Sequence, residues 1–306
     1  MRIAIVGAGA LGSAFGAGFI GAGHDVTLID VSAALVEALN ATGITIVDGE
    51  QRSPVAVRAT TDALTVAAPD LIMVFVKAYD TDGAARMIAP ILGPDTVLAT
   101  LQNGLGAGDV LASHCPGARI VYGATYHAAT VLEPGRVRHT VGPTFAGPRE
   151  GADMSGAQRL AGACVDAGWP VQAMPDVAPA VWKKLLLNCT NAVAALAGMS
   201  GAAQVADVHV QRLLHDVMAE AIAVAHALGY TGLELEACVR DMHEVLTRAG
   251  DGRASMLQDF DAGRRTEIDA LNGAVVRAAE GLKIGVPINR ALHSLVKGWE
   301  RTHGFS

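Results

Sequence analysis

Three glycines within the first twelve residues constrain this chain more than any other feature. The sequence opens MRIAIVGAGALGSAF, so an apolar run, Ile3 to Val6, leads directly into Gly7-Ala8-Gly9-Ala10-Leu11-Gly12. The spacing G-x-G-x-x-G alone also occurs in purely structural turns. Here it follows a strand-like run and precedes a helix-like stretch from about Leu11 to Ala22, at the start of a βαβ unit. Gly7 then permits the tight turn. Gly9 lets backbone approach a pyrophosphate, and Gly12 lets the helix pack on the strand. Ala10 and Leu11 lie at the helix N-terminus, whose free N–H groups and positive dipole suit phosphates. The expected ligand is a dinucleotide.

The second apolar run, HDVTLID, ends on Asp30, about twenty residues beyond the loop. An acid there can accept hydrogen bonds from the adenosine ribose, and its charge repels a 2′-phosphate. A helix N-cap is the other use for such an acid, but Ser32 competes for it. The next basic residue is Arg52, so no nearby cation welcomes a phosphate. NAD is therefore favoured over NADP.

Strands alternating with helices continue through the first half. SAALVEALNATG reads as a helix stopped by Gly43, and LIMVFVK (Leu71 to Lys77) and DTVLATLQNG (Asp95 to Gly104) read as strands. This rhythm implies parallel βαβ units and a doubly wound sheet. RIVYGATYHAATVLEPGRVRHTV suggests strands joined at Glu133-Pro134-Gly135, hence an antiparallel extension of that sheet, and GWPVQAMPD one more strand. From Pro175 onward the spacing is helical, as in AVWKKLLLNCTNAVAALAG, VQRLLHDVMAEAIAVAHALG and EACVRDMHEVLTRAG. The fold class is α/β: an N-terminal Rossmann doubly wound sheet, residues 1–174, followed by an all-helical C-terminal domain, residues 175–306.

Composition narrows the function. A net charge of -7 argues against a nucleic-acid or anionic-membrane surface. The four cysteines, Cys115, Cys164, Cys189 and Cys238, lie far apart without metal spacing, so no metal is expected. They read as buried free thiols in a reducing compartment. The glycine-broken N-terminus lacks a signal-peptide core, and no apolar run is long enough to span a bilayer. The expected setting is the cytoplasm. Long apolar helices can bury faces internally or in a homodimer, and the sequence leaves both open.

Carbonyl reduction needs a proton donor, and fixed donors for the developing oxyanion. In WKKLLLNCTN, Lys184 and Asn188 are four apart, hence about 40° apart on one helix face. Asn191, three beyond Asn188, stays near that face. Lys183 reads as solvated. Lys77 ends one predicted strand and Asn103 follows another, where open α/β sheets bind ligands. A solvated lysine and an Asn-Gly turn are the plainer alternatives for those two. SMLQDFDAGRRTEID adds Ser255, Asp259 and Glu267. By itself it reads as a helix with surface charges that changes character around Gly263.

In order along essentially the whole chain, GAGALGS, VKAYD, LQNGLG, YGATYHAA, WKKLLLNC, SMLQDFDAGRRTEIDALNG and GLKIGVPIN resemble the ketopantoate reductase (2-dehydropantoate 2-reductase) family. The resemblance implies a Rossmann domain, a helical domain, a substrate cleft between them, and a place in pantothenate biosynthesis. It implies that Lys184 hydrogen-bonds the C2 carbonyl of ketopantoate and supplies the proton as hydride arrives from nicotinamide. Glu267 resembles the acid that poises that lysine and the substrate. Asn103 and Lys77 resemble residues at the nicotinamide end of the cofactor site. Ser255 resembles a substrate-carboxylate contact and Asn188 a substrate-holding amide, with Asn191 beside it. Three positions depart from the family pattern. Ala192 replaces a frequent second Asn, Asp30-Val31 stands where NADP-using members often carry Arg or Lys, and Gly252 stands where some have Asn. The departures keep two alternatives in play: an NAD-dependent 2-hydroxy acid dehydrogenase of the same family with another 2-keto or 2-hydroxy acid substrate, and a non-enzymatic NAD-binding sensor.

Overall fold

The structure, a computed structural model, describes residues 1–47 and 53–305. Its chain divides into two units, Met1–Gln102 with Ala107–Val177, and Asn103–Gly106 with Ala178–Ser306. Arg52 lies outside the described residues.

The first unit is organised by short strands buried on both faces. Its elements in chain order are β1 (Arg2–Val6), α1 (Ala10–Gly21), β2 (Asp25–Ile29), α2 (Ala33–Thr42), β3 (Thr45–Val47), β4 (Arg58–Thr60), β5 (Leu71–Val74), α3 (Thr81–Ile88), β6 (Val97–Thr100), α4 (Ala107–His114), β7 (Arg119–Thr125), β8 (Ala128–Glu133), β9 (Arg136–Thr140), β10 (Thr144–Pro148), α5 (Ser155–Asp166) and β11 (Val171–Ala173). Eight strands form one sheet in the order β11-β10-β7-β6-β5-β1-β2-β4, parallel except where β10 meets β7. Side chains alternate across it. Ile3, Ile5, Leu71 and Met73 pack with Phe15 and Phe19 of α1, while Ala4, Val6, Ile72 and Val74 pack with Ala85 and Ile88 of α3. Each large apolar side chain so buried contributes roughly 1.5–3 kcal/mol. The chain winds outward from β1 to β2 and β4, then returns to β5 on β1's other side. That reversal is the topological switch point, and ligands of open α/β sheets bind at the carboxyl ends of strands there.

Two sequence expectations are corrected in this unit. β5 stops at Val74, not Lys77. Phe75 N–H still reaches the Val6 carbonyl at 2.8 Å, but the Val76 carbonyl is taken by the Gln102 side chain at 2.7 Å. The chain then turns, and Lys77 precedes a short 3₁₀ turn, Ala78–Asp80. The hairpin through Glu133–Gly135 forms as expected but does not extend the main sheet. Both edges of β7 are occupied, by β6 and β10, and β9 instead pairs with β8 on one side and β3 on the other in a separate three-stranded sheet.

The second unit is helical: α6 (Ala178–Cys189), α7 (Asn191–Ala197), α8 (Gly201–Ala206), α9 (Val208–Ala227), α10 (Leu235–Ala249), α11 (Ser255–Asp261), α12 (Asn272–Leu282) and α13 (Pro287–Thr302). Its core joins Trp182, Leu185 and Leu186 of α6 to Leu214, Met218 and Ile222 of α9 and Val275 of α12. The stretch expected as one helix from Ala180 to Gly198 is two. Thr190 ends α6 because its backbone N–H and its hydroxyl both turn back to the Leu187 carbonyl, at 3.2 and 2.6 Å. The cysteines are free and buried. No described helix is long and apolar enough to cross a membrane.

Candidate active site

In the first unit the glycine loop follows β1 at the switch point. Gly7 has φ 93°, a conformation that disfavours any side chain. A Cβ there would also meet Val76 N at 2.7 Å. A Cβ on Gly12 would strike the Gly7 carbonyl oxygen, so loop and helix can close only on glycine. Gly9 differs: a Cβ there would have nothing within 4 Å. Its freedom is not needed for internal packing, and open space remains where a ligand's backbone-hugging phosphates would lie. No side chain caps the α1 N-terminus. Ala10 and Leu11, half-buried, open that helix and leave its dipole facing the loop.

Asp30 immediately follows β2, and both of its carboxylate oxygens meet backbone. Oδ2 accepts from Ala8 N–H at 2.8 Å and Oδ1 from Ser32 N–H at 2.9 Å. The cap of α2 is Ser32, whose hydroxyl oxygen accepts from Leu35 N–H at 3.3 Å. Asp30 therefore braces the middle of the glycine loop. A carboxylate has about four lone-pair sites, so capacity remains for ribose hydroxyls. Lys77 is half-buried and follows Val76, whose backbone packs against Gly7 of the loop. Gln102, which sequence reasoning passed over, ties that system together. Its Nε2 donates to the Val76 carbonyl and to Thr81 Oγ1 at 2.7 and 2.9 Å. Its sequence signal is its place in LQNGLG, just before Asn103.

In the second unit, α6 separates its two lysines sharply. Lys183 is exposed and pairs with Asp241 at 2.6 Å. Lys184 is half-buried, and burial pushes its ammonium down to about 8. One turn on, Asn188 is buried and its Nδ2 donates to Asn103 Oδ1 at 3.0 Å. Asn103 belongs to this unit through the segment Asn103–Gly106, which is pinned by Leu105 N–H to the Ala270 carbonyl at 3.1 Å. A Cβ on Gly104, at φ 87°, would strike that same carbonyl.

Glu267 is half-buried on the turn between α11 and α12. The flanking Thr266 and Ile268 are buried, and the turn continues to Asn272, whose Nδ2 donates to the Cys189 carbonyl at the end of α6 at 3.1 Å. The structure thus brings Asn103 and Asn188 into contact, places Lys184 one turn from Asn188, and ties Glu267's turn to both segments. Asn191 is different. It begins α7, one residue after α6 ends, and the Thr190 between them keeps helical backbone dihedrals, φ -72° and ψ -18°. Ser255 is exposed at the start of α11, which packs against α7. Asp259, expected among surface charges, is 3% exposed and receives Arg264 at 3.0 and 3.1 Å. Helical periodicity cannot distinguish a buried, paired acid from a solvated one. Among the described residues no group of three or more His, Cys, Asp and Glu side chains is arranged to hold a metal.

A glycine-loop Rossmann unit, joined to a helical unit that buries an amine beside paired amides, defines an oxidoreductase of the dinucleotide-binding class. The profile of the family Ketopantoate reductase PanE/ApbA matches residues 3–150, and that of its C-terminal part matches residues 176–300. The chain belongs to this ketopantoate reductase family. It is 36% identical over 300 residues to the 2-dehydropantoate 2-reductase of Halobacterium salinarum, covering 97% of this chain and 98% of that one. It is 32% identical to the enzyme of that name from Archaeoglobus fulgidus, covering 98% of each. Among solved structures it is similar to a PanE/ApbA family ketopantoate reductase from Ralstonia eutropha, with TM-score 0.89, 34% identity and 99% of each chain covered. It is also similar to D-mandelate dehydrogenase in a ternary structure with NADH and anilino(oxo)acetate, with TM-score 0.93, 25% identity and 99% of each chain covered.

Proposed function

We propose that this protein reduces ketopantoate to pantoate with a nicotinamide cofactor, preferring NADH. The observation that carries the reading is Lys184: an amine held on α6, one turn from the Asn188–Asn103 pair, with its pKa drawn by burial to about 8. Full-length relatives named 2-dehydropantoate 2-reductase support the substrate.

The glycine loop suits a dinucleotide. The space over Gly9 and the uncapped α1 N-terminus accept the pyrophosphate, and Gly7 and Gly12 hold the loop shape. Asp30 meets the adenosine ribose with its remaining acceptor sites, and its charge disfavours a 2′-phosphate. Lys77 and Asn103 serve the nicotinamide end. When bound, the reduced nicotinamide supplies a hydride. The chain supplies the rest. Lys184 Nζ, still protonated at neutral pH, hydrogen-bonds the C2 oxygen and gives it a proton as negative charge develops there. A pKa near the working pH makes this amine an effective acid that solvent readily reprotonates. Asn188 and Asn103 orient each other, so one of their amides can face the substrate without a search for its rotamer. Glu267 poises the lysine and the substrate, and Ser255 and Asn191 hold substrate polar groups.

A second reading has a specific observation behind it. The likeness to an NADH-bound D-mandelate dehydrogenase, together with Asp30, favours an NAD-dependent 2-hydroxy acid dehydrogenase on the same scaffold. Steady-state assays of the purified chain with NADH and NADPH, against ketopantoate and a panel of 2-keto acids including aromatic ones, separate the two. Ketopantoate turning over with the highest kcat/KM supports the first reading. A 2-keto acid with a bulkier side chain ahead of it supports the second. A preference for NADPH removes the role given to Asp30.

A further inference from the structure

Glu300 stands near the end of α13, far in sequence from every residue assigned above, with none of its surface exposed. A carboxylate in such a place is costly unless its oxygens are paired, and an apolar residue would pack there without that cost. Its partners are specific. Oε1 accepts both the backbone N–H and the hydroxyl of Thr266, at 2.8 and 2.7 Å, and Oε2 receives Lys297 Nζ at 2.7 Å. Thr266 is the residue immediately before Glu267.

The same helix also grips the other side of Glu267. Lys297 Nζ reaches Asp269 Oδ2 at 3.0 Å, and His293 Nε2 lies 2.8 Å from Asp269 Oδ1. Within the turn, Thr266 Oγ1 accepts from Ile268 N–H at 3.2 Å, and the Glu267 carbonyl accepts from Ala270 N–H at 3.0 Å. One face of α13, carrying His293, Lys297 and Glu300, therefore fixes residues 266 and 269. Glu267 is the half-buried acid held between them.

We propose that Glu300, backed by Lys297, is a positioning residue that sets the Glu267 carboxylate for the reaction by clamping Thr266. The proposal rests on the reading of Glu267 as the acid that works with Lys184. Hydrogen bonds to both the N–H and the hydroxyl of one residue restrain its φ and its χ1 together. A misplacement of about 1 Å at a catalytic group can cost on the order of a hundredfold in rate.

The test is steady-state kinetics with ketopantoate and NADH on the full chain and on Glu300→Gln, Thr266→Ala, Thr266→Ser and Glu267→Gln, with Thr266→Ala also combined with Glu267→Gln. Thr266→Ala and Glu300→Gln are expected to lower kcat by about tenfold with the KM for NADH within about twofold of wild type. Thr266→Ser, which keeps the hydroxyl, restores most of the loss. In the Glu267→Gln background, Thr266→Ala has little further effect, because the group it positions is already gone. Should Glu300→Gln fail to fold, the threonine variants decide. Wild-type kcat in Thr266→Ala, an equal loss in both backgrounds, or no rescue by serine overturns the proposal while leaving Glu267's role standing if Glu267→Gln is impaired. Wild-type kcat in Glu267→Gln overturns the reading of Glu267, and this proposal with it.

Discussion

The side-chain amide of Asn188 donates to Asn103 Oδ1 at 3.0 Å, although 85 residues separate them. Asn188 sits on the helix that carries Lys184, and Asn103 on a four-residue segment that packs with the helices. The bond holds two amides in one orientation, one helical turn from the half-buried Lys184 amine. Asn188→Ala is expected to lower kcat/KM for ketopantoate by about tenfold, since leaving a half-buried amide unpaired costs roughly 1–3 kcal/mol. Steady-state kinetics check this, and an unchanged kcat/KM contradicts it.

Lys184 links activity to pH. Its folded pKa, about 8, lies below the ordinary lysine value of 10.5 because burial disfavours the charged form. In the proposed role of proton donor it must be charged, so kcat/KM should fall as pH rises through about 8. Stability runs the other way. Between about 8 and 10.5 the unfolded chain binds the proton that the folded chain has lost, so this group's contribution to folding improves as pH rises through that window. At neutral pH the buried charge costs about 3 kcal/mol. Lys184→Met should therefore raise the melting temperature at pH 7 while removing turnover, a trade that thermal melts and kinetics measure together.

Gly9 and Gly12 should respond oppositely to the same methyl group. In Gly9→Ala the new Cβ meets nothing within 4 Å, so the fold should melt as wild type does while NADH affinity falls by about tenfold or more. In Gly12→Ala the Cβ strikes the Gly7 carbonyl, so the loop must shift and the protein should lose about 1–3 kcal/mol. Calorimetry and NADH titration on both variants give the comparison. Unchanged NADH affinity in Gly9→Ala contradicts the assignment of the loop.

Asp30→Arg should move preference from NADH toward NADPH and weaken both cofactors. The carboxylate is also the acceptor for Ala8 N–H, so its loss loosens the loop that any nicotinamide dinucleotide needs. The ratio of KM values for the two cofactors reads the preference. A ratio that stays in favour of NADH removes the ribose role of Asp30.

Local chemistry decides what is legible in this sequence. The glycine loop, a strand running up to Asp30, the Ser32 cap and the Gly43 stop all follow from neighbours in sequence, and the structure keeps them, with β2 stopping one residue earlier at Ile29. Long-range competition decided the rest. Nothing near Lys77 reveals that Gln102 would take the Val76 carbonyl and end β5 early. The hairpin's own residues cannot show that β10 would claim the edge of β7. The end of α6 at Cys189 turns on the Thr190 hydroxyl reaching the Leu187 carbonyl, which helical periodicity does not reveal. Glu300 carried no signal, because a glutamate near the end of an amphipathic helix normally reads as solvated.

The central claim is that Lys184 donates the proton in an NADH-dependent reduction of ketopantoate. Its most direct test is the turnover of ketopantoate by wild type and by Lys184→Ala, each saturated with NADH, with NADH affinity measured separately by titration. The account predicts that wild type consumes NADH with ketopantoate, and that Lys184→Ala loses at least about a hundredfold in kcat while binding NADH normally. Near-wild-type kcat in Lys184→Ala would contradict it.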